Sequence, residues 1–336
     1  MAGLSMQALA DKMNNVISKQ AISKYEKGLM KPDGRVIAAL SKALDVSVDY
    51  FFQLPDFQIQ NIEFRKQTRL LIGQQKRIVE MSKVLVERNE ELNHLMNLDQ
   101  VFHFPIRPRT VRSHADIERI VDDLRSAWDL GQRELPNVSG MLENRGVRIF
   151  EIDAPAAFSG LSGWADRFPI IVLNQSLNRD LCRKRFTLLH EFAHLVLEFP
   201  EENPPRKKEK LCHQFAGTFL IPKSTFMNEF GNRRKGITLE ELTRIKESYG
   251  ISIQAIMARA HALQIITVRE YEQFNKWINH HGYRYREPGN YCGMERVQRF
   301  DRLIHRAVTE EIITMSRAAG LAGIPLADFR RNFNEI

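Results

Sequence analysis

The residues of this chain best suited to chemistry are two histidines four positions apart with a glutamate beside the first, in His190-Glu191-Phe192-Ala193-His194. They lie inside the run Phe186 to Leu197, whose apolar positions recur at helical spacing. Positions four apart share one face of a helix, so both imidazoles can grip a single metal ion. Glu191 is rotated about 100° away from His190, and its side chain can reach a metal-bound water rather than the metal. Open coordination, an activated water and a neighbouring carboxylate are what a zinc hydrolase needs. The bland alternative is a core helix that happens to hold two histidines and an acid. Burying an unpaired glutamate is costly, and the sequence announces no partner for it, so the metal reading is preferred.

Several elements must position this helix. Ser113 to Gly131 reads as an amphipathic helix with Ile117, Ile120, Val121, Leu124 and Trp128 on its apolar face. A short helix near Val138 to Asn144 follows. Val147 to Ile152, Phe158 to Trp164 and Pro169 to Asn174 read as strands of a small sheet. After the breaker-rich loop Glu201 to Pro205, a helix runs from Arg206 to Leu220 and is ended by Pro222. Leu211, Phe215 and Phe219 form its core stripe, and Glu209, Cys212, His213 and Ala216 share the adjacent face. A carboxylate or imidazole is the usual third ligand of a hydrolytic zinc site, and thiolate also binds zinc. Spacing alone does not choose among Glu209, Cys212 and His213.

At 336 residues the chain is long enough for two or more cores. Its 49 basic and 41 acidic residues leave a formal charge of +8, which permits a nucleic-acid partner without establishing one. Three widely separated cysteines, Cys182, Cys212 and Cys292, argue against a disulfide framework. No signal-peptide core opens the chain and no apolar run is long enough to span a bilayer, so the expected compartment is a reducing cytoplasm.

The chain opens with a short helix from Leu4 to Met13 capped by Ser5, then the polar Asn14-Asn15. Ser18 caps a second helix, Lys19 to Glu26, which stops at Gly28. Arg35 to Leu44 and Val46 to Phe51 complete a compact helical unit. These residues resemble the helix-turn-helix of the phage-repressor, Cro-like family, although the family's helix before Leu4 has no counterpart here and the turn from Asn14 to Ile17 is longer than usual. The resemblance implies that the second helix enters the major groove. Gln20, Ser23 and Lys24 would then be base or phosphate contacts, and Lys19, Lys27 and Lys31 would position the phosphate backbone.

Beyond Pro55, a helix is expected from Arg65-Lys66 through about Leu98. Leu71, Ile78, Leu85 and Leu92 repeat every seven residues, but Gln74 and Arg88 interrupt the second row. A helix packed along its own catalytic domain is therefore preferred to a dimer seam. Pro105 and Pro108 close this connector. In the C-terminal third, Thr238 to Gly250, Ser252 to Leu263, Thr267 to His281 and Glu295 to Arg317 read as helices. Ser316 to Phe333 reads as a helix-turn-helix-like tail with Arg317, Arg330 and Arg331 on a solvated face. His280 and His281 are adjacent and diverge on a helix, which makes them a poor metal pair.

The run Arg185 to Leu195, followed by Glu209 to Pro222, resembles the ImmA/IrrE family of metallopeptidases. So do Gly160-Leu161-Ser162 and the apolar strand ending in Asn174, although Ser159 stands where the family often has an acid. Many members join a Cro-like domain, a connector beginning at a Phe-Arg-Lys such as Phe64-Arg65-Lys66, and the peptidase domain. The resemblance implies that Glu209 is the third ligand, leaving Cys212 and His213 in supporting roles. It implies a mainly α chain with a small β-sheet (α+β), divided as 1–54 helix-turn-helix, 55–110 connector, 111–230 zinc metallopeptidase and 231–336 helical C-terminal region. The expected protein is a DNA-binding transcriptional regulator fused to a zinc endopeptidase. His190, His194 and Glu209 would hold Zn2+, Glu191 would be the catalytic base, and the substrate would be a regulatory protein such as a repressor. A homodimer is compatible with this, and no membrane is involved. The rival expectation is a transcription factor or antitoxin-type regulator whose peptidase-like domain senses a ligand or dimerises without turnover.

Overall fold

The computed structural model describes residues 4–14, 16–44, 48–51, 59–64, 70–98, 100–107, 109–234 and 236–333. It separates into two compact units, residues 1–58 with 71–87 and residues 59–70 with 88–336. The chain is mainly helical with one small sheet, as expected.

In the first unit, α1 (Met6–Lys12) and α2 (Lys19–Glu26) each begin at a serine whose hydroxyl accepts a backbone N–H, Ser5 from Ala8 and Ser18 from Ala21. Asp33 does the same for α3 (Gly34–Leu44), accepting from Val36 at 2.8 Å. Leu9, Ala10, Met13, Ile22, Val36, Leu40 and Ala43 meet in one small core, so burial of one face of each helix holds the three together. Asp45, Val46 and Ser47 lie outside the described residues.

The connector differs from the expectation. Residues Ile59–Phe64 form a strand, β1, and α4 (Ile72–Leu95) begins later than Arg65-Lys66, which lie outside the described residues. The alternation Ile59, Ile62, Phe64 is too short and irregular to announce a strand by itself. At the far end of α4, Leu92 is fully buried in a second core with α13 (Arg299–Thr309), α14 (Met315–Ala322) and α15 (Leu326–Asn332). This end of α4 packs on its own chain, against the C-terminal helices.

The second unit holds α5 (His114–Ala127), α6 (Val138–Glu143), and strands β2 (Arg148–Ile152), β3 (Gly160–Ala165) and β4 (Phe168–Asn174). The sheet order is β1-β3-β4-β2. β2 and β4 are parallel, with Arg148 opposite Ile170, whereas β3 runs antiparallel to β4 and β1 antiparallel to β3. Every residue of β4 is buried, which explains its unbroken apolar run. The sequence motifs then fall on α7 (Leu181–Val196) and α8 (Pro205–Leu220), followed by α9 (Lys223–Phe230), α10 (Leu239–Tyr249), α11 (Ile253–Ala262) and α12 (Val268–His280). One hydrophobic core runs from Phe104 through α5, the sheet, α7 and α8 to Ile278, so residues on both sides of position 230 share it. The long helix expected from Glu295 to Arg317 is broken. Glu311 adopts a positive φ of 56° and Thr314 caps a new helix, while Glu295 turns inward.

That inward turn fixes α7. Arg185 is fully buried and its guanidinium donates to Glu295 Oε2 at 2.8 Å and to the Leu135, Tyr249 and Gly250 carbonyls. Glu295 also accepts the Val138 and Ser139 amides at the start of α6. Gly250 ends α10 at φ 61°, and a Cβ there would lie 2.6 Å from Arg185 Nε, so only glycine permits both the turn and the contact. Glu287 caps α11 from outside in the same way, accepting from Ile253 and Gln254. Replacing Arg185 with methionine strips Glu295 of its counter-charge inside the protein. The expected loss is about 3–5 kcal/mol of unfolding free energy. Chemical denaturation of R185M measures it, and a loss below about 1 kcal/mol would contradict the anchoring role.

Candidate metal centre

α7 starts at Asp180, whose carboxylate accepts the Arg183 amide. Leu188, Phe192 and Val196 bury one face of it, and the Phe192 ring meets Phe102, Phe104, Trp128 and Phe215 at centroid distances of 5.8 to 6.4 Å. That aromatic cluster sets the rotation of the helix about its axis, which decides where His190 and His194 point. α8 starts at Pro204-Pro205, where proline suits the first helical turn, and inserts Leu211, Phe215 and Phe219 into the shared core. The adjacent face of its second turn then presents Glu209 to α7.

The three side chains converge. His190 Nε2 and His194 Nε2 are 3.1 Å apart, and Glu209 places Oε2 3.4 Å from the first and Oε1 3.4 Å from the second. These are the residues among those described whose ligand atoms lie close enough to hold a metal ion. His190 is buried, whereas Glu209 keeps 39% of its side chain exposed, so the site opens on the Glu209 side. The two imidazoles hold the Glu209 carboxyl well below the usual carboxylate range by hydrogen bonding, against a smaller opposing effect of burial.

The other candidates on α8 sit around this triangle. Cys212 is buried with its Sγ 3.7 Å from His194 Nδ1. The His213 ring lies 4.4 Å from the His190 ring and stacks on Phe186 at 5.8 Å. Neither belongs to the convergent set. The remaining cysteine thiols are also free, and burial pushes Cys182 up to about 12.

Glu191 lies fully buried on the sheet side of α7. Ser162 Oγ on β3 donates to its Oε2 at 2.9 Å. A Cβ on Gly160 would sit 3.2 Å from Glu191 Cγ and 3.3 Å from Thr187 and Leu173, so the strand passes the acid at backbone distance. Gly160-Leu161-Ser162 is therefore strand, and its serine is a partner for the acid that helix periodicity could not reveal, because it depends on how α7 lies across β3. The DNA-contact candidates Lys19, Gln20 and Lys24 are exposed along α2 and Ser23 is half-buried, far from α7 in sequence and in a separate unit. Filling the Gly160 gap tests the packing: G160V should cost about 1–3 kcal/mol by overpacking against Glu191. An unchanged denaturation midpoint would show that β3 does not press on the acid.

Comparison with known families agrees with both halves of this arrangement. Residues 142–261 match the family model described as IrrE N-terminal-like domain, Peptidase_M78, and residues 1–51 match that described as Helix-turn-helix, HTH_3. No curated protein matches the chain. The first match spans β2 to β4 and α7 to α10 with all but the last residue of α11, and the second spans α1 to α3. No helix among the described residues is long and apolar enough to cross a membrane. The chain thus joins an N-terminal helix-turn-helix domain to a domain of the IrrE N-terminal-like peptidase family, the architecture of ImmA/IrrE proteins.

Proposed function

We propose that the protein is a DNA-binding transcriptional regulator whose second domain is a zinc-dependent endopeptidase acting on another regulatory protein, such as a repressor. The observation that carries this reading is the triangle of His190, His194 and Glu209 with Glu191 beside it. Ligand atoms held about 2.0–2.2 Å from one tetrahedral ion lie about 3.3–3.6 Å from one another. The two imidazole–carboxylate separations of 3.4 Å, one to each Glu209 oxygen, fall in that range, and the 3.1 Å between the imidazole nitrogens lies just below it. The donor chemistry fits too: two imidazole nitrogens and a carboxylate are a hydrolytic set, with three protein ligands and a fourth position left for solvent.

Zinc held there would supply Lewis acidity and bring the pKa of a water molecule down towards about 7. The residues of the chain do the rest. Ser162 Oγ, donating to Glu191 Oε2, fixes the carboxylate plane beside the site. Glu191 takes a proton from the water as its oxygen attacks the scissile carbonyl carbon, and returns it to the departing amine nitrogen as the C–N bond breaks. On α2, Lys19, Gln20, Ser23 and Lys24 would meet the major groove, and the overall charge of +8 favours the encounter. Free thiols and a chromosomal partner belong together in a reducing cytoplasm.

Glu191→Gln separates an enzyme from a sensing or dimerisation module. The variant should keep its metal, its fold and its operator binding, because glutamine neither disturbs the ligands nor touches α2. Proteolysis should fall about 10²–10⁴-fold, since the amide cannot accept the proton. Cleavage of proteins from the source proteome, followed by mass spectrometry, reads the enzyme; a reporter gene reads the regulation. Normal reporter output from Glu191→Gln would remove the peptidase from the mechanism. Operator retardation unaltered by Gln20→Ala would remove α2 from base recognition.

A further inference from the structure

A cavity of about 810 Å³ opens between α8, α11 and α12, on the side of the metal centre where Phe186 and His213 stand. The two share a wall. His213 lines the cavity, and its ring lies 4.4 Å from the His190 ring. A carbonyl held at His190, His194 and Glu209 would therefore have its neighbouring side chain at the mouth of this space.

The lining is kept small on purpose of space rather than of packing. Gly217 stands within α8, where glycine weakens a helix relative to alanine, yet a Cβ there would meet nothing within 4 Å. Across from it, Ala255, Ala258 and Ala262 of α11 line the cavity, and Phe186 and Tyr271 wall it with aromatic faces. Arg259 also borders the cavity, but its guanidinium is turned into the protein, with both terminal nitrogens donating to Glu118 and Thr218. Among the described residues, no aspartate or glutamate lines the cavity, and Lys210 stands among the lining residues. A lysine or arginine side chain would enter without a counter-charge.

We infer that this cavity is the specificity pocket of the peptidase, taking a large apolar or aromatic side chain next to the scissile bond and rejecting basic ones. The inference rests on the peptidase reading given above. It names Gly217 and Ala258 as the residues that set the depth of the pocket.

The test uses the zinc-loaded full chain and a peptide library made from a digested proteome, with cleavage sites read by mass spectrometry. The parent should show large apolar residues enriched, and Lys and Arg depleted, at one position flanking the cut. Gly217→Leu and the half-exposed Ala258→Phe should lose at least about 10-fold in cleavage after or before large residues while still cutting at small ones. Metal content and thermal midpoint should match the parent. Cleavage by both variants with the parental profile overturns the pocket and leaves the peptidase standing. If the parent cuts nothing in the library, the peptidase reading fails, and the pocket is judged by binding. Alanine-methyl-labelled protein is then titrated with N-acetyl-phenylalanine amide and with N-acetyl-lysine amide. Shifts of the Ala255, Ala258 and Ala262 methyls with the first only, absent in Gly217→Leu, support the pocket. No shift, or equal shifts with both probes, overturns it.

Discussion

The proposed metal centre depends on keeping the side chains of His190, His194 and Glu209 within 3.4 Å of one another although they come from two helices. Neither helix alone produces that convergence, so the geometry depends on how the two are packed. It is imposed by the apolar contact of α7 with α8, in which Phe192, Phe215 and Phe219 lock both helix rotations at once. A helix turned by one residue would move a side chain by about 100° and dissolve the triangle. The core is thus built to tolerate very little rotation at α7.

The same constraint accounts for the polar groups buried around the core. Arg185 ties α7 to the end of α10 and, through Glu295, to the start of α6. Arg125 ends α8 by donating to the Phe219 carbonyl at 2.7 Å. Arg259 on α11 reaches Glu118 on α5 and Thr218 on α8. Such buried ions contribute less net stability than apolar packing of equal volume would. Their directional hydrogen bonds do fix helices in register, which apolar contacts alone do not. The sheet adds the fourth component, since Gly160 lets β3 pass close to Glu191 and the strand presents Ser162 one pleat further on.

How much of this was legible follows from which interactions are local. His190, Glu191 and His194 could be read directly because their relation is set by the periodicity of one helix. So could the capping serines of α1 and α2 and the buried run of β4. Glu209 could not be chosen over Cys212 and His213 from spacing, because the choice is made by how α8 lies on α7; only family resemblance pointed to it. The hydrogen bond from Ser162 and the anchor at Arg185 and Glu295 join positions far apart in sequence, and no local pattern marks them. β1 was missed because six residues of weak alternation become a strand only when β3 offers its edge. The helix read through Glu295 to Arg317 failed because tertiary contacts at Glu295 and the left-handed turn at Glu311 overrode a favourable local pattern.

The central claim is that the convergent nitrogens and oxygens, and no sulfur, hold the metal, although a buried thiol lies 3.7 Å from one of the rings. X-ray absorption at the zinc edge of the metal-loaded protein tests this most directly. The account predicts a first shell of two imidazole nitrogens and carboxylate or solvent oxygens at about 2.0–2.2 Å. A zinc–sulfur shell at about 2.3 Å would contradict it and move the third ligand from Glu209 to Cys212.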